Sequence, residues 1–110
     1  AVLRRTESKQ LSKLLRIGDM EINTGEHTVF AEGERIQLTL KEYELLKKFM
    51  ENPGMVFSRE QLLQDIWGDM YIGETRTVDV HIATLRTKLG NCGNYIETVR
   101  GVGYRMEAVL

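Results

Sequence analysis

Residues 76–90 read RTVDVHIATLRTKLG, and the reading of this stretch decides the fold. Advancing about 100° per residue from Val78 brings Ile82, Leu85 and Leu89 to within roughly 40° of it. The four form an apolar stripe, so the segment is a helix that packs on a core along one side, with Gly90 as its C-terminal stop. Away from that stripe, Thr77, Val80, His81, Thr84 and Lys88 group together, with Arg76, Ala83 and Thr87 beside them. This face offers hydroxyls, an imidazole, small apolar contacts and cations, the groups that read base edges and phosphates in a major groove. A plain solvated surface has the same composition, and the helix alone leaves both readings open.

Working upstream, Ser58 and Gln61 have capping-box spacing ahead of Leu62, Leu63, Ile66 and Trp67, which predicts a short helix ending at Gly68. Thr39 and Glu42 repeat that spacing ahead of a stripe of Tyr43, Leu46, Phe49 and Met50, a helix closed by Asn52-Pro53-Gly54. Before it, LLRI, MEI, HTVFA and RIQL are short β-like runs parted by Gly18-Asp19, Asn23-Thr24-Gly25 and Glu32-Gly33. They predict a four-stranded antiparallel meander that needs a covering layer. Downstream, YIETV and YRMEA flank Arg100-Gly101-Val102-Gly103, a hairpin with a glycine-rich tip.

The expected fold class is therefore α+β, a winged helix-turn-helix: N-terminal four-stranded antiparallel sheet, three helices, C-terminal β-hairpin wing. A capped short helix followed by a long one with an exposed polar face makes a helix-turn-helix-like pair. The hairpin places Arg100 beside glycines that let a backbone approach closely, which suits a phosphate or a minor groove, although the hairpin by itself favours a tight turn with an incidental surface arginine. The connection GDMYIGET, residues 68–75, exceeds a simple helix-turn-helix turn and either packs or displays a surface for a partner.

With 110 residues, one domain is expected, residues 14–107, preceded by a polar linker or frayed terminus over residues 1–13. The first residue is Ala, from which we expect a domain of a longer protein. Hydrophobic residues make up 42% and charged residues 28%, and no apolar run approaches the roughly 20 residues of a membrane-spanning helix. No signal-peptide centre is present and Cys92 is the one cysteine, so a reducing cytoplasm is the expected location. The net charge of -1 argues at first against nucleic acid, yet the charges are uneven. Residues 75–110 carry 5 Lys and Arg against 3 Asp and Glu, whereas residues 39–74 carry 4 against 7.

Three strings together, LTLKEYELLKKFMENPGMVFSREQLLQDIWG, RTVDVHIATLRTKLG and YIETVRGVGYRME, resemble the OmpR/PhoB-type winged-helix effector domain of bacterial two-component response regulators. The likeness runs from about Leu14 to Met106. It implies sequence-specific binding of duplex DNA, as a dimer on direct repeats, in transcription regulation. It further implies that residues 76–90 are the recognition helix in the major groove, with Thr77, Val80, His81 and Thr84 facing it; the helical wheel adds Lys88 to this set. Arg76, Trp67, Thr98 and Tyr104 match positions that touch the phosphate backbone, and Arg100 in the wing, residues 100–103, matches one that reaches the minor groove. The loop 68–75 matches a segment through which some members contact RNA polymerase. Regulation is expected from a receiver domain of the same parent protein, with residues 14–38 as a candidate interface.

This sequence departs from the family pattern at Ala83 and Thr84, positions often basic in relatives, so fewer cations reach the groove and salt dependence should be flatter. Arg86 matches a recurrent family arginine but lies away from the groove-facing set, and an intramolecular ion pair is expected, with a carboxylate of the first helix as candidate. Trp67 ends an apolar stripe, so its ring reads as core with its edge or indole N–H left for a ligand. Asp79 and His81 point in different directions and form no dyad. No cluster has metal-ligand spacing and no phosphate loop is present, so neither an enzyme nor a cofactor is expected. Cys92, between Asn91 and Gly93, reads as a surface loop residue. The competing function is a winged helix used only for protein interaction, through the loop 68–75 and the exposed helix face.

Overall fold

The computed structural model describes residues 14–68 and 74–107. The expected linker, residues 1–13, and most of the loop after the second helix therefore lie outside the described residues.

Strands β1 (Leu14–Ile17), β2 (Met20–Asn23), β3 (Thr28–Ala31) and β4 (Glu34–Arg35) form the N-terminal antiparallel sheet in that order. Alternation places Met20, Ile22, Val29 and Ala31 on the buried face. The register Arg16↔Glu21, Glu21↔Phe30 and Phe30↔Arg35 makes a row on the other face, where Arg16 and Glu21 pair at 2.6 Å. The fourth strand is shorter than RIQL suggests. After Arg35 one further ladder bond, Ile36 N–H to the Val29 carbonyl, precedes the chain's departure towards the extended cap residue Thr39.

Helix α1 (Leu40–Glu51) covers that sheet. Its capping box is complete: Thr39 Oγ1 accepts from the Glu42 N–H and Glu42 Oε1 accepts from the Thr39 N–H. Tyr43, Leu46, Phe49 and Met50 are buried, as is Leu45. A two-residue strand β5 (Phe57–Ser58) follows, and Ser58 also caps α2 (Arg59–Trp67) by accepting from the Gln61 N–H. Helix α3 (Arg76–Leu89) buries Val78, Ile82, Leu85 and Leu89. Glycine 68 leaves α2 at φ 98°, a left-handed conformation that a side chain would strain.

A 3₁₀ segment, Gly90–Tyr95, joins α3 to the hairpin of β6 (Ile96–Val99) and β7 (Gly103–Met106). The second sheet has the order β5-β7-β6, so the hairpin is anchored through the short strand between the helices. Phe57 of β5 sits edge-on to Phe49 of α1, with ring centroids 5.9 Å apart, and continues one core from sheet to wing. Cys92 is not the surface residue expected. It is 1% exposed, because the 3₁₀ segment folds inward against the turns of the N-terminal sheet. There the Tyr95 hydroxyl accepts from the Asp19 N–H and Asn91 Nδ2 donates to Glu32. Burial, aided by the negative charges of Glu32 and Asp19, raises the pKa of the Cys92 thiol.

Candidate nucleic-acid interface

The polar residues of α3 divide into two flanks and an outward strip. On the helical wheel Asp79 and Arg86 lie to one side of the buried stripe, by about 80–100°, and His81 and Lys88 to the other, by about 60–80°. Arg76, Val80, Ala83, Thr84 and Thr87 lie between the flanks, all exposed, with Val80 at 55%.

The first flank ties the helix to α2 and to the wing. Asp79 Oδ1 accepts from Arg59 Nε at 2.7 Å and from the Tyr104 hydroxyl at 2.6 Å. Burial pushes the Asp79 carboxyl up in pKa. Hydrogen bonds from Tyr104 and Arg59, with the charges of Arg59 and Arg76, outweigh this and leave it below the usual value. The Tyr104 ring has guanidinium groups within cation–π reach, Arg59 at 5.7 Å and Arg86 at 5.4 Å from its centroid. Arg86 donates from Nε and Nη2 to the Ile96 carbonyl and from Nη2 to Thr98 Oγ1. The ion pair expected for Arg86 is therefore replaced by hydrogen bonds to the wing strand.

The second flank faces α1 and the end of α2. Lys88, expected among the groove-facing residues, turns its ammonium to Glu42 Oε1 at 2.8 Å, supplying the ion pair with the first helix that had been expected of Arg86. Glu42 is buried, which raises its pKa; hydrogen bonds from Lys88 and Thr39 and the Lys88 charge outweigh that and hold it below the ordinary value. The His81 ring meets Trp67 edge-on, with centroids 4.9 Å apart, and its Nδ1 lies 2.9 Å from the Thr77 carbonyl. Trp67 is half-buried, as its sequence position implied, with Lys41 Nζ 5.8 Å from the ring centroid and donating to the Ile66 carbonyl.

Of the residues singled out in the sequence, Arg76, Val80 and Thr84 share the outward strip with Ala83 and Thr87. Thr77 and His81 flank it, half-buried. Arg100 is exposed at the hairpin tip. Tyr104 is 5% exposed with its hydroxyl held by Asp79, and Thr98 is exposed while accepting from Arg86. Arg59 was not among the candidates. It lines an open depression of about 700 Å³ together with Thr75, Arg76, Asp79, Val80 and Ala83. Its place at the start of α2 gave no signal, because a residue in the first turn of a capped helix points wherever the neighbouring elements allow.

A helix braced on both flanks, an outward strip and an adjacent hairpin define a winged helix-turn-helix domain. The family model described as "Transcriptional regulatory protein, C terminal" matches residues 33–106. The chain is 46% identical over 111 residues to the phosphate regulon transcriptional regulatory protein PhoB of Rhizobium meliloti, covering 98% of this chain and 48% of that protein. It is 39% identical over 118 residues to the transcriptional regulatory protein SrrA of Staphylococcus aureus, covering 97% and 49%. Among solved structures, the response regulator DrrB of Thermotoga maritima, an OmpR/PhoB homologue, matches with TM-score 0.78 and 38% identity over 86% of this chain and 44% of that one. The DNA-binding domain of Klebsiella pneumoniae RstA, in complex with the RstA box, matches with TM-score 0.77 and 31% identity over 87% and 98%. This chain belongs to that family, the C-terminal effector domains of OmpR/PhoB-type transcriptional regulators. It spans about half the length of the curated relatives it matches.

Proposed function

We propose that this chain binds duplex DNA sequence-specifically, with α3 in the major groove and the wing, residues 100–103, in the minor groove, as the effector domain of a two-component response regulator. The observation that carries this is the outward strip Arg76, Val80, Ala83, Thr84 and Thr87 on a helix fixed along both flanks. A helix held in this way enters a groove with little loss of conformational freedom. The complex of the RstA domain with its box supports the same use of the fold.

In this reading Thr77, Val80, His81 and Thr84 meet base edges or their margins. Arg76, Trp67 and Thr98, with Arg59 added, meet phosphates, and Arg100 reaches the minor groove. Tyr104 and Lys88 act by holding α3, through Asp79 and Glu42, rather than by touching DNA. The parent protein adds a receiver domain, operates in the bacterial cytoplasm and binds direct repeats as a dimer. Residues 68–75 offer a surface to RNA polymerase. The family relationship and the length of the relatives support these parts of the proposal.

A gel-shift series tests the reading. Thr84→Arg adds a cation to the strip and should strengthen general binding, steepening the salt dependence by about one unit of slope; Arg100→Ala should weaken binding. If neither change altered affinity, and the parent bound at low salt no better than an equally charged control protein, a protein-interaction role would replace DNA binding.

A further inference from the structure

The outward strip has a hydrogen-bonding sense that residue types alone do not give. Thr84 Oγ1 donates its proton to the Val80 carbonyl at 3.1 Å, and Thr87 Oγ1 donates to the Ala83 carbonyl at 3.0 Å. Each hydroxyl keeps lone pairs and a methyl group outward but has no proton left to offer. His81 behaves alike: the Thr77 carbonyl only accepts, so Nδ1 carries the proton of the neutral ring and Nε2 is left as an acceptor. Val80 and Ala83 add apolar surface between these acceptors. Of the three cations on α3, Lys88 is held by Glu42 and Arg86 by the wing strand. Arg76, at the first residue of the helix, lines the open depression with Arg59 and Asp79, and in the reading above it meets a phosphate rather than a base.

We infer that α3 reads adenine and cytosine amines and thymine methyl groups, and not guanine. In the major groove guanine presents N7 and O6, both acceptors, whereas adenine N6 and cytosine N4 are donors and thymine displays its methyl. A face of acceptors and methyls complements the second group. Against the first it sets lone pair against lone pair, unless a threonine breaks its bond to the helix backbone. This inference rests on the DNA-binding reading and gives it a base preference.

The experiment is selection of bound sites from random duplexes with this chain at pH 8, followed by methylation interference at guanine N7 on the selected sites. The expected result is enriched sites whose α3 footprint can be methylated at every guanine N7 without loss of binding. Replacing a contacted adenine by guanine, which puts the O6 acceptor where the N6 donor stood, should lower affinity about tenfold, which corresponds to about 1.4 kcal/mol, within the range for one base-edge contact. Thr84→Arg should then recruit a guanine at one position, with interference appearing there. Guanine N7 interference within the footprint of the parent protein would overturn the inference while leaving DNA binding intact. No enrichment over the input library would remove sequence-specific reading itself, and the base preference with it.

Discussion

Tyr104 of the wing strand donates its hydroxyl proton to Asp79 of α3 at 2.6 Å, and the same carboxylate oxygen accepts from Arg59 of α2. One oxygen thus fixes the angle between the helix offered to the groove and the hairpin beside it.

Removing that hydroxyl separates the bond from the packing. In Tyr104→Phe the ring keeps its place near the Arg59 and Arg86 guanidinium groups, while Asp79 loses a hydrogen bond to a charged acceptor, worth about 1.5–3 kcal/mol. The urea midpoint should fall with an unchanged denaturant slope. A variant as stable as the parent would show that the bond holds nothing together.

Acid should loosen the two flanks of α3 together. Asp79 and Glu42 both have pKa values below their ordinary ones in the folded protein. A depressed carboxylate contributes stability that is complete above the unfolded value, about 4, and is lost as pH falls through the folded value. Thermal midpoints should therefore be nearly flat from about pH 7 to about pH 5 and drop below about pH 4. In Asp79→Asn the drop should be shallower, and an unchanged acid slope in that variant would exclude Asp79 as a contributor.

Gly103 is the point at which the hairpin touches the inter-helix strand. A Cβ there would run into the carbonyl of Phe57, so the β5–β7 pairing has to open to admit it. Gly103→Ala should cost about 1–3 kcal/mol, the usual range for overpacking. It should also speed amide hydrogen exchange in β5 and β7 ahead of α1. Exchange accelerated equally throughout the domain would point to a global rather than local opening.

Cys92 should be chemically silent in the folded protein. It is buried, and its thiol pKa is raised by that burial and by Glu32 and Asp19, so little of the reactive thiolate forms near neutral pH. A thiol-specific chromogenic reagent should react only at the rate of unfolding, and fully in urea. Rapid stoichiometric labelling of the native protein would contradict the burial.

The helices and the first three strands were legible because each carries a complete local signal. Thr39 with Glu42 and Ser58 ahead of α2 mark helix starts, and Val78, Ile82, Leu85 and Leu89 keep one period. Strand β5 was not legible, since two residues cannot display alternation and its pairing partner lies 45 or more positions away. Arg86 was assigned the first-helix carboxylate that Lys88 takes, and Lys88 was assigned to the groove, for a related reason. The wheel separates them from the core stripe by similar angles, and only the packing of α1 on one flank and the wing on the other says which flank meets a carboxylate. The surface reading of Cys92 failed because glycine and asparagine neighbours suggest an open loop, whereas here they allow a tight 3₁₀ segment that folds inward.

The sequence by itself therefore determined the order of the elements, the buried stripe of each helix and the place of the wing, because caps, periods and turn residues act over a few neighbours. Thr84, Thr87 and His81 become acceptors through carbonyls four residues back in the same helix, but which of the polar residues of α3 remain outward was decided only in the tertiary structure. Asp79, Arg86 and Lys88 take partners that distant elements bring within reach, and residue type fixes what a group can do but not which partner occupies it.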